Sequence, residues 1–440
     1  MIPEETRTAP RKPALRRLAA AFQSLGPGWV FALAVIGPAD MVANTTLGAT
    51  HGYALIWALA VVLVFRYVWL STSAKYVLVT GESLLDGYSR LGRWVAWAFL
   101  AVILVMRHLQ NLYKIALLGS VAHLLAPLPV GSSERWWSLA LTGAAFAMVF
   151  WGGYPVLESF CKRLAAVMGA MLVAAAALSR PDPAGILRGA LIPTIPESAG
   201  LYSTVLLLTA LIGAEAGSLT NLTYSYFMYE KGWRDLSYRR RQNWDLAFSV
   251  GAIFLMGMLL QITAAGTLHG AGARLDNAGD LVRIFSAKLG LAGRLIFGLG
   301  LWAALFSSLV GTTTGYAMMA TDICRKHVPL FRRPEGHTQP KRGVQHDPIF
   351  RCLVALWLFS PLYVLFTGWK PVWLVLAVSS AVVVLIPFLS LALLRITSDR
   401  RLMGAHQNGW FTNVMLVLLA GVSLYLAGRS AHVWLARVAP

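Results

Sequence analysis

Acidic side chains are scarce in this chain. Asp and Glu account for 19 of 440 residues, against 38 Lys and Arg, and all charged residues together make up 13%. An ordinary soluble domain carries about 25% charged residues, so that class is excluded at the outset. The formal net charge is +19, yet nucleic acid is not the implied partner. The basic residues fall mainly in short connections between apolar runs, where they set membrane topology. Cysteine is also rare. Cys161, Cys324 and Cys352 are too scattered for a disulfide frame or a zinc site. No ten-residue alternation of apolar and polar side chains recurs, which argues against a membrane β-barrel. No nucleophile–base pairing or phosphate loop stands out, so neither an enzyme nor a bound cofactor is expected. The N-terminus carries Arg7, Arg11, Lys12, Arg16 and Arg17 without a small-residue cleavage pattern, and no cleavable signal is expected.

Apolar residues are abundant, at 57% with a mean hydropathy of +0.62. About eleven apolar spans can be drawn, near 27–50, 53–78, 94–125, 136–153, 155–179, 201–228, 245–268, 281–320, 350–367, 371–395 and 409–428. The eighth reads as one span with an amphipathic lead-in. Placing the N-terminus inside puts Lys162, Arg163, Lys231, Arg234, Arg239, Arg240, Arg241, Arg325, Lys326, Arg332, Arg333, Lys341, Arg342, Arg400 and Arg401 on the inner side. The outer connections are poorer in Lys and Arg, as the positive-inside rule requires. The reading is a cytoplasmic segment 1–26 followed by one transmembrane domain, 27–430, in a cell's inner (plasma) membrane. The lipid bilayer is then a partner; the oligomeric state is left open. The connection 324–349 is rich in Pro, His and basic residues, and His327 and His337 read as solvated loop residues.

Two spans are interrupted beside a carboxylate. In the first, Gly37-Pro38-Ala39 breaks the helix immediately before Asp40, because Pro38 lacks a backbone donor and clashes with the preceding turn. A charge at bilayer depth costs about 2.5–3.5 kcal/mol on insertion scales, so it needs a partner or a role. In the sixth, Glu215-Ala216-Gly217-Ser218-Leu219-Thr220-Asn221 sets small and polar residues beside Glu215. Paired broken helices in corresponding halves point to a five-plus-five inverted repeat with a site at mid-membrane. Close helix packing at Gly217 and Ser218 is the alternative.

The segments Gly26-Pro-Gly-Trp29, Asn44 to Trp57, Ser73 to Gly81, Pro387-Phe388 and Thr397 to Gly404 resemble the Nramp family of divalent-metal transporters. The resemblance covers nearly the whole membrane region. It implies an all-α polytopic membrane protein of the LeuT type, in agreement with the inverted repeat, with a divalent cation as substrate.

The departures from that family are specific. Where typical members carry Asp-Pro-Gly-Asn in the first span, this chain has Gly37-Pro38-Ala39-Asp40, moving the carboxylate nearly one turn. The family's Met-Pro-His-Asn in the sixth span corresponds to about Gly217-Ser218-Leu219-Thr220, and the methionine is absent on either adjacent register. The candidate ligands are Asp40 with Gly37, Glu215 with Gly217, Ser218, Thr220, Asn221, and free carbonyls near Ala34 and Ala214. All offer oxygen, which suits hard ions, whereas a thioether favours later transition metals. Mg2+ keeps several waters, and a small residue in place of Met predicts a roomier pocket. The pattern is similar to the Nramp-related magnesium transporters.

In the third span Asn111 and Lys114 stand where the family has acidic residues of its proton route. The expectation is uptake of Mg2+, or of hydrated Mn2+, without the usual proton coupling. Alternatives are a carrier of a small organic cation or amino acid on the same fold, with Tyr224, Tyr226 and Phe227 as pocket aromatics, and a non-transporting sensor domain with Arg66, Arg107 and Lys114 near a dead site. Lys114 is expected either to act at the site or to pair with Glu158 or Glu215. Glu82 and Asp86 are expected to pair with Arg90 or Arg93, and Asp322 with Arg325. Ser380 stands where the family often has Gln.

Overall fold

In the computed structural model the described residues are 31–32, 37–197, 203–216, 219–270, 278–332, 344–369 and 371–438. They form helices, and among them there is no strand. Among the described residues, nine helical segments are long and apolar enough to cross a bilayer. They coincide with the second, third and fifth to eleventh expected spans. The fourth is the helix Ser133–Trp151, and the described part of the first is Pro38–His51 with residues 31–32.

The local chemistry explains where these helices begin and end. The second span, Ile56–Thr80, has 25 residues, and at about 1.5 Å per residue it exceeds the roughly 30 Å hydrocarbon core. It stops at Gly81, whose φ of 69° is left-handed, a conformation that costs glycine nothing. The eighth runs within Ala278–His327 and is interrupted at Gly290 (φ 62°, ψ −149°), so the expected lead-in and span meet at that residue. The tenth holds a break the sequence reading lacked. Helix Pro371–Val382 passes through a 3-10 turn, Val383–Leu385, into helix Ile386–Thr397. Pro387 lies in the first turn of that last helix, where its missing N–H costs no hydrogen bond.

Packing brings the two broken spans together. The first lies against the seventh, Arg239–Leu268, and against the sixth; the sixth lies against the tenth; the eighth lies against the third and fifth. The first–seventh contact is backbone-close at Gly48, where a Cβ would sit 2.3 Å from the Gln261 carbonyl oxygen. Trp94, Trp136, Trp369 and Trp373 are exposed, as residues of an interfacial belt should be.

The peripheral ion pairs differ in part from expectation. Glu82 pairs with Arg90 at 2.5 Å as expected. Asp86 and Asp322 both pair instead with Lys326, at 2.6 and 2.9 Å, and Arg325 pairs with Asp347 at 2.9 Å. Asp322 and Lys326 are four residues apart and share a face, while Arg325 is taken by Asp347, whose two carboxylate oxygens accept its Nε and Nη2. Tyr226 donates to Asp322 at 2.7 Å and Ser83 donates to the same carboxylate at 3.1 Å, which ties adjoining ends of the second, sixth and eighth spans into one polar cluster.

Candidate functional site at the helix breaks

Gly37 is extended (φ −116°, ψ −170°), and the helix restarts at Pro38. Asp40 is only 3% exposed. Its Oδ2 accepts the Gly37 N–H at 3.1 Å, while Oδ1 has no hydrogen-bond donor. The carboxylate thus caps its own helix, where the N-terminal dipole also favours it. One turn on, Asn44 donates to the Asp40 carbonyl at 2.9 Å and accepts from Gln261 at 2.8 Å. That second bond fixes the broken span against the seventh.

The sixth span is helical over Thr204–Glu215, passes through a 3-10 turn at Leu219–Leu222, and resumes at Thr223–Glu230. The Asn221 amide donates to the carbonyls of Ala216 at 3.2 Å and Glu215 at 3.4 Å. These are the orphan acceptors a broken helix leaves, and in a bilayer they must be satisfied from within the protein. Glu215 is fully buried. Its carboxyl group and that of Asp40 are near enough to interact directly, and Glu215 Oε1 has no donor.

The second span supplies what the sequence reading did not place. Arg66, fully buried, forms an ion pair with Glu215 Oε2. It also donates from Nη2 to the Ala214 carbonyl and from Nε to Asn221 Oδ1, both at 3.3 Å. Its guanidinium lies 5.8 Å from the centre of the Phe31 ring. Three of the expected metal ligands, Ala214, Glu215 and Asn221, therefore converge on a guanidinium. The signal for this was present, since an arginine in the middle of an apolar span marks a functional position by itself.

Asp40 borders a cavity of about 30 Å³, walled by Gly37 and Pro38, by Gly213, Ala214 and Thr220, and by residues of three further spans. These are Gln110, Tyr113 and Lys114 of the third, Ser308 and Thr312 of the eighth, and Ser379 of the tenth. A water needs roughly 10–15 Å³ of such space, so the cavity holds an ion with about one or two waters. The expected roomy pocket for a hydrated ion is not present in this conformation. The cavity brings together Asp40, Gly37, Ala214 and Thr220 as expected, with Glu215 beside them. Ala34, Gly217 and Ser218 lie outside the described residues. Ser379 faces the cavity, whereas Ser380 is buried with its hydroxyl unpaired. Tyr224, Tyr226 and Phe227 are absent from the lining; Tyr226 is engaged with Asp322.

The third span carries no carboxylate between Arg93 and Leu125. Lys114 donates to the Ser308 and Thr312 hydroxyls at 2.8 and 2.9 Å and to the Ser308 carbonyl at 3.3 Å. It pairs with neither Glu158 nor Glu215, because Glu158 is held by Lys162 and Lys231, each at 2.8 Å, and Glu215 by Arg66. Arg107 donates to Asn111 and lies 5.2 Å from the centre of the Tyr316 ring. Asn111 in turn donates to the Trp357 carbonyl at 2.7 Å, and His108 bonds Ser360 at 2.9 Å. Two buried carboxylates and three buried basic groups thus share the centre of the molecule.

Two interrupted helices crossing at a buried polar centre define an all-α polytopic membrane protein of the LeuT-type, five-plus-five inverted-repeat class. The structure of Mhp1, a nucleobase-cation-symport-1 family transporter, superposes with a TM-score of 0.57 at 12% identity, covering 93% of this chain and 92% of that one. The Eremococcus coleocola manganese transporter, solved with an aromatic bis-isothiourea substituted compound, superposes with a TM-score of 0.74 at 16% identity, covering 98% and 93%. In sequence, the divalent metal cation transporter MntH of Pectobacterium carotovorum subsp. carotovorum (strain PC1) is 26% identical over 420 residues, covering 91% of this chain and 93% of its own. The chain belongs to the Nramp family, natural resistance-associated macrophage protein-like, which matches residues 28–431.

Proposed function

We propose that this chain carries a divalent metal cation across a membrane, by alternating access to the site between the broken first and sixth spans. One observation carries the reading. Asp40 Oδ1 and Glu215 Oε1 are buried oxygens of two carboxyl groups close enough to share a hydrogen bond with each other, and no nitrogen or hydroxyl donor reaches either of them. When both are ionised, such neighbouring carboxylates in a low-dielectric interior repel one another, and a cation between them removes that cost. Family membership and the MntH relative support metal as the cargo.

The ligand chemistry supports a hard ion. Asp40, Glu215, Thr220 and the Gly37 and Ala214 carbonyls offer oxygen alone, which suits Mg2+ and Mn2+ ahead of softer metals. The small cavity means the ion arrives with most of its water removed, so Mn2+ is accommodated in this conformation more readily than Mg2+, which dehydrates reluctantly. The third span offers no carboxylate for a proton route, so uptake follows the membrane potential without protons. For a divalent ion that is about 4.6 kcal/mol per 100 mV. The basic connections support a plasma-membrane location with the N-terminus in the cytoplasm.

The test is uptake of Mn2+, Mg2+ and Ca2+ into proteoliposomes under an imposed potential, with and without a pH gradient. Saturable Mn2+ and Mg2+ entry that ignores the pH gradient is the expected result. A protein that moves none of the three ions would sink the proposal.

A further inference from the structure

Arg66 is not needed to explain the fold of the sixth span, because the Asn221 amide already serves the carbonyls of Glu215 and Ala216. Its own acceptors are a carboxylate oxygen, a main-chain carbonyl at the break and an amide oxygen. That is the donor set an unwound transporter helix presents to a cation. The side chain is fully buried and comes from the second span, outside both broken helices. It satisfies one face of Glu215 and leaves the other, Oε1, open toward Asp40.

We propose that Arg66 is a tethered cation occupying the sixth-span half of the substrate site, and that a divalent ion binds fully only by displacing its guanidinium from Glu215, Ala214 and Asn221. The proposal rests on the transport reading above. Charge gives the reason for displacement. With Arg66 in place, its charge and that of Lys114 in the cavity wall already offset the two carboxylates, so a divalent ion overshoots; with Arg66 withdrawn, Glu215 is freed to face the ion together with Asp40. The same arrangement has a use when no ion is bound. Two naked carboxylates would hold the empty carrier apart by repulsion, whereas the guanidinium neutralises one and lets the empty site close and return. Arg66 would therefore lower metal affinity and speed the return of the empty carrier.

The substitution Arg66→Gln separates these effects. Mn2+ titrated onto the purified protein should bind at least tenfold more tightly than to the wild type, and Mn2+ should raise the melting temperature of the variant by more. In proteoliposomes KM should fall and kcat for net uptake should fall with it, while Mn2+/Mn2+ exchange continues. Arg66→Lys, which keeps a tethered charge but loses the fork that reaches Ala214 and Asn221, should fall between the wild type and Arg66→Gln in Mn2+ affinity. A second readout avoids metal. In Arg66→Ala, millimolar guanidinium chloride should raise the melting temperature relative to the same concentration of sodium chloride and weaken Mn2+ binding competitively; the wild type should show neither effect. Equal Mn2+ affinity in wild type and a folded Arg66→Gln, or no guanidinium effect on Arg66→Ala, would overturn the proposal and leave metal transport standing. Absence of Mn2+ and Mg2+ binding in wild type and all variants would instead overturn the transport reading on which it rests.

Discussion

The ammonium of Lys114 donates to the hydroxyl of Thr312 at 2.9 Å, across the interface between the third and eighth spans. Its other two acceptors are also neutral and belong to Ser308. A proton relay needs titratable groups in series; on the third and eighth spans Lys114 meets hydroxyls, a carbonyl and Arg107, and the one carboxylate it faces is Asp40 of the metal site itself. Metal uptake should therefore leave the liposome interior at constant pH. An entrapped pH-sensitive dye recorded alongside Mn2+ entry measures this directly. Acidification in fixed proportion to the metal would refute it.

Asp40 is the only acidic group on the first span and the one that borders the cavity. Removing it leaves Glu215, already paired with Arg66, together with neutral carbonyls and hydroxyls, which is too little charge to offset the dehydration of a divalent ion. Asp40→Ala should abolish Mn2+ uptake, and Asp40→Asn should do the same while keeping the side-chain volume. Both should still fold, because the capping bond to Gly37 is worth about 0.5–2 kcal/mol. Substantial uptake by Asp40→Asn would move the site elsewhere.

Glu215 and Arg66 stabilise one another in the absence of metal. Breaking a buried pair by removing one partner costs about 3–5 kcal/mol, because the other charge is left uncompensated. Glu215→Gln should lower the melting temperature of the metal-free protein sharply. The double variant Arg66→Met with Glu215→Gln removes both charges and should recover most of that loss without recovering transport. Thermal melts of the single and double variants in the same detergent decide the matter; an unstable double variant would show that the pair is not the source of the loss.

The helical architecture and the two breaks could be read from the sequence because each has a local cause. Length and apolarity fix the spans, Gly37-Pro38 fixes the first break, and the polar run after Glu215 marks the second. Asp40, Glu215 and Thr220 followed from the same reasoning. What the sequence did not yield is partner choice. Arg66 is separated from Glu215 by 149 positions, and whether Glu215 meets Arg66 or Lys114 depends on how the spans rotate against each other. Lys326 for Asp86 and Asp322 is the same lesson on the surface. The volume of the cavity was equally out of reach, because side chains of the third, eighth and tenth spans wall it as well as the two breaks.

Two glycines, one at an interhelical contact and one on an exposed helix face, allow a last prediction of opposite signs. Gly48 of the first span has no room for a Cβ, which would lie 2.3 Å from a backbone oxygen of Gln261 and 2.9 Å from Ala264 Cβ. Gly251 lies in the same helix as Gln261 and has nothing within 4 Å of its Cβ position. Gly251→Ala should stabilise by about 0.5–1 kcal/mol, the usual gain for replacing a helical glycine. Gly48→Ala has the same propensity gain but must push the first span off the seventh. Backbone cannot yield as a flexible side chain does, and overpacking of this kind costs about 1–3 kcal/mol. The shift would also stretch the Gln261–Asn44 bond that orients the turn after Asp40, so Gly48→Ala should weaken Mn2+ binding as well as lower the melting temperature. Melting curves and Mn2+ titrations on the two variants check both parts. If Gly48→Ala matched Gly251→Ala in stability and in metal affinity, the first and seventh spans would not be in the close contact on which the placement of Asp40 depends.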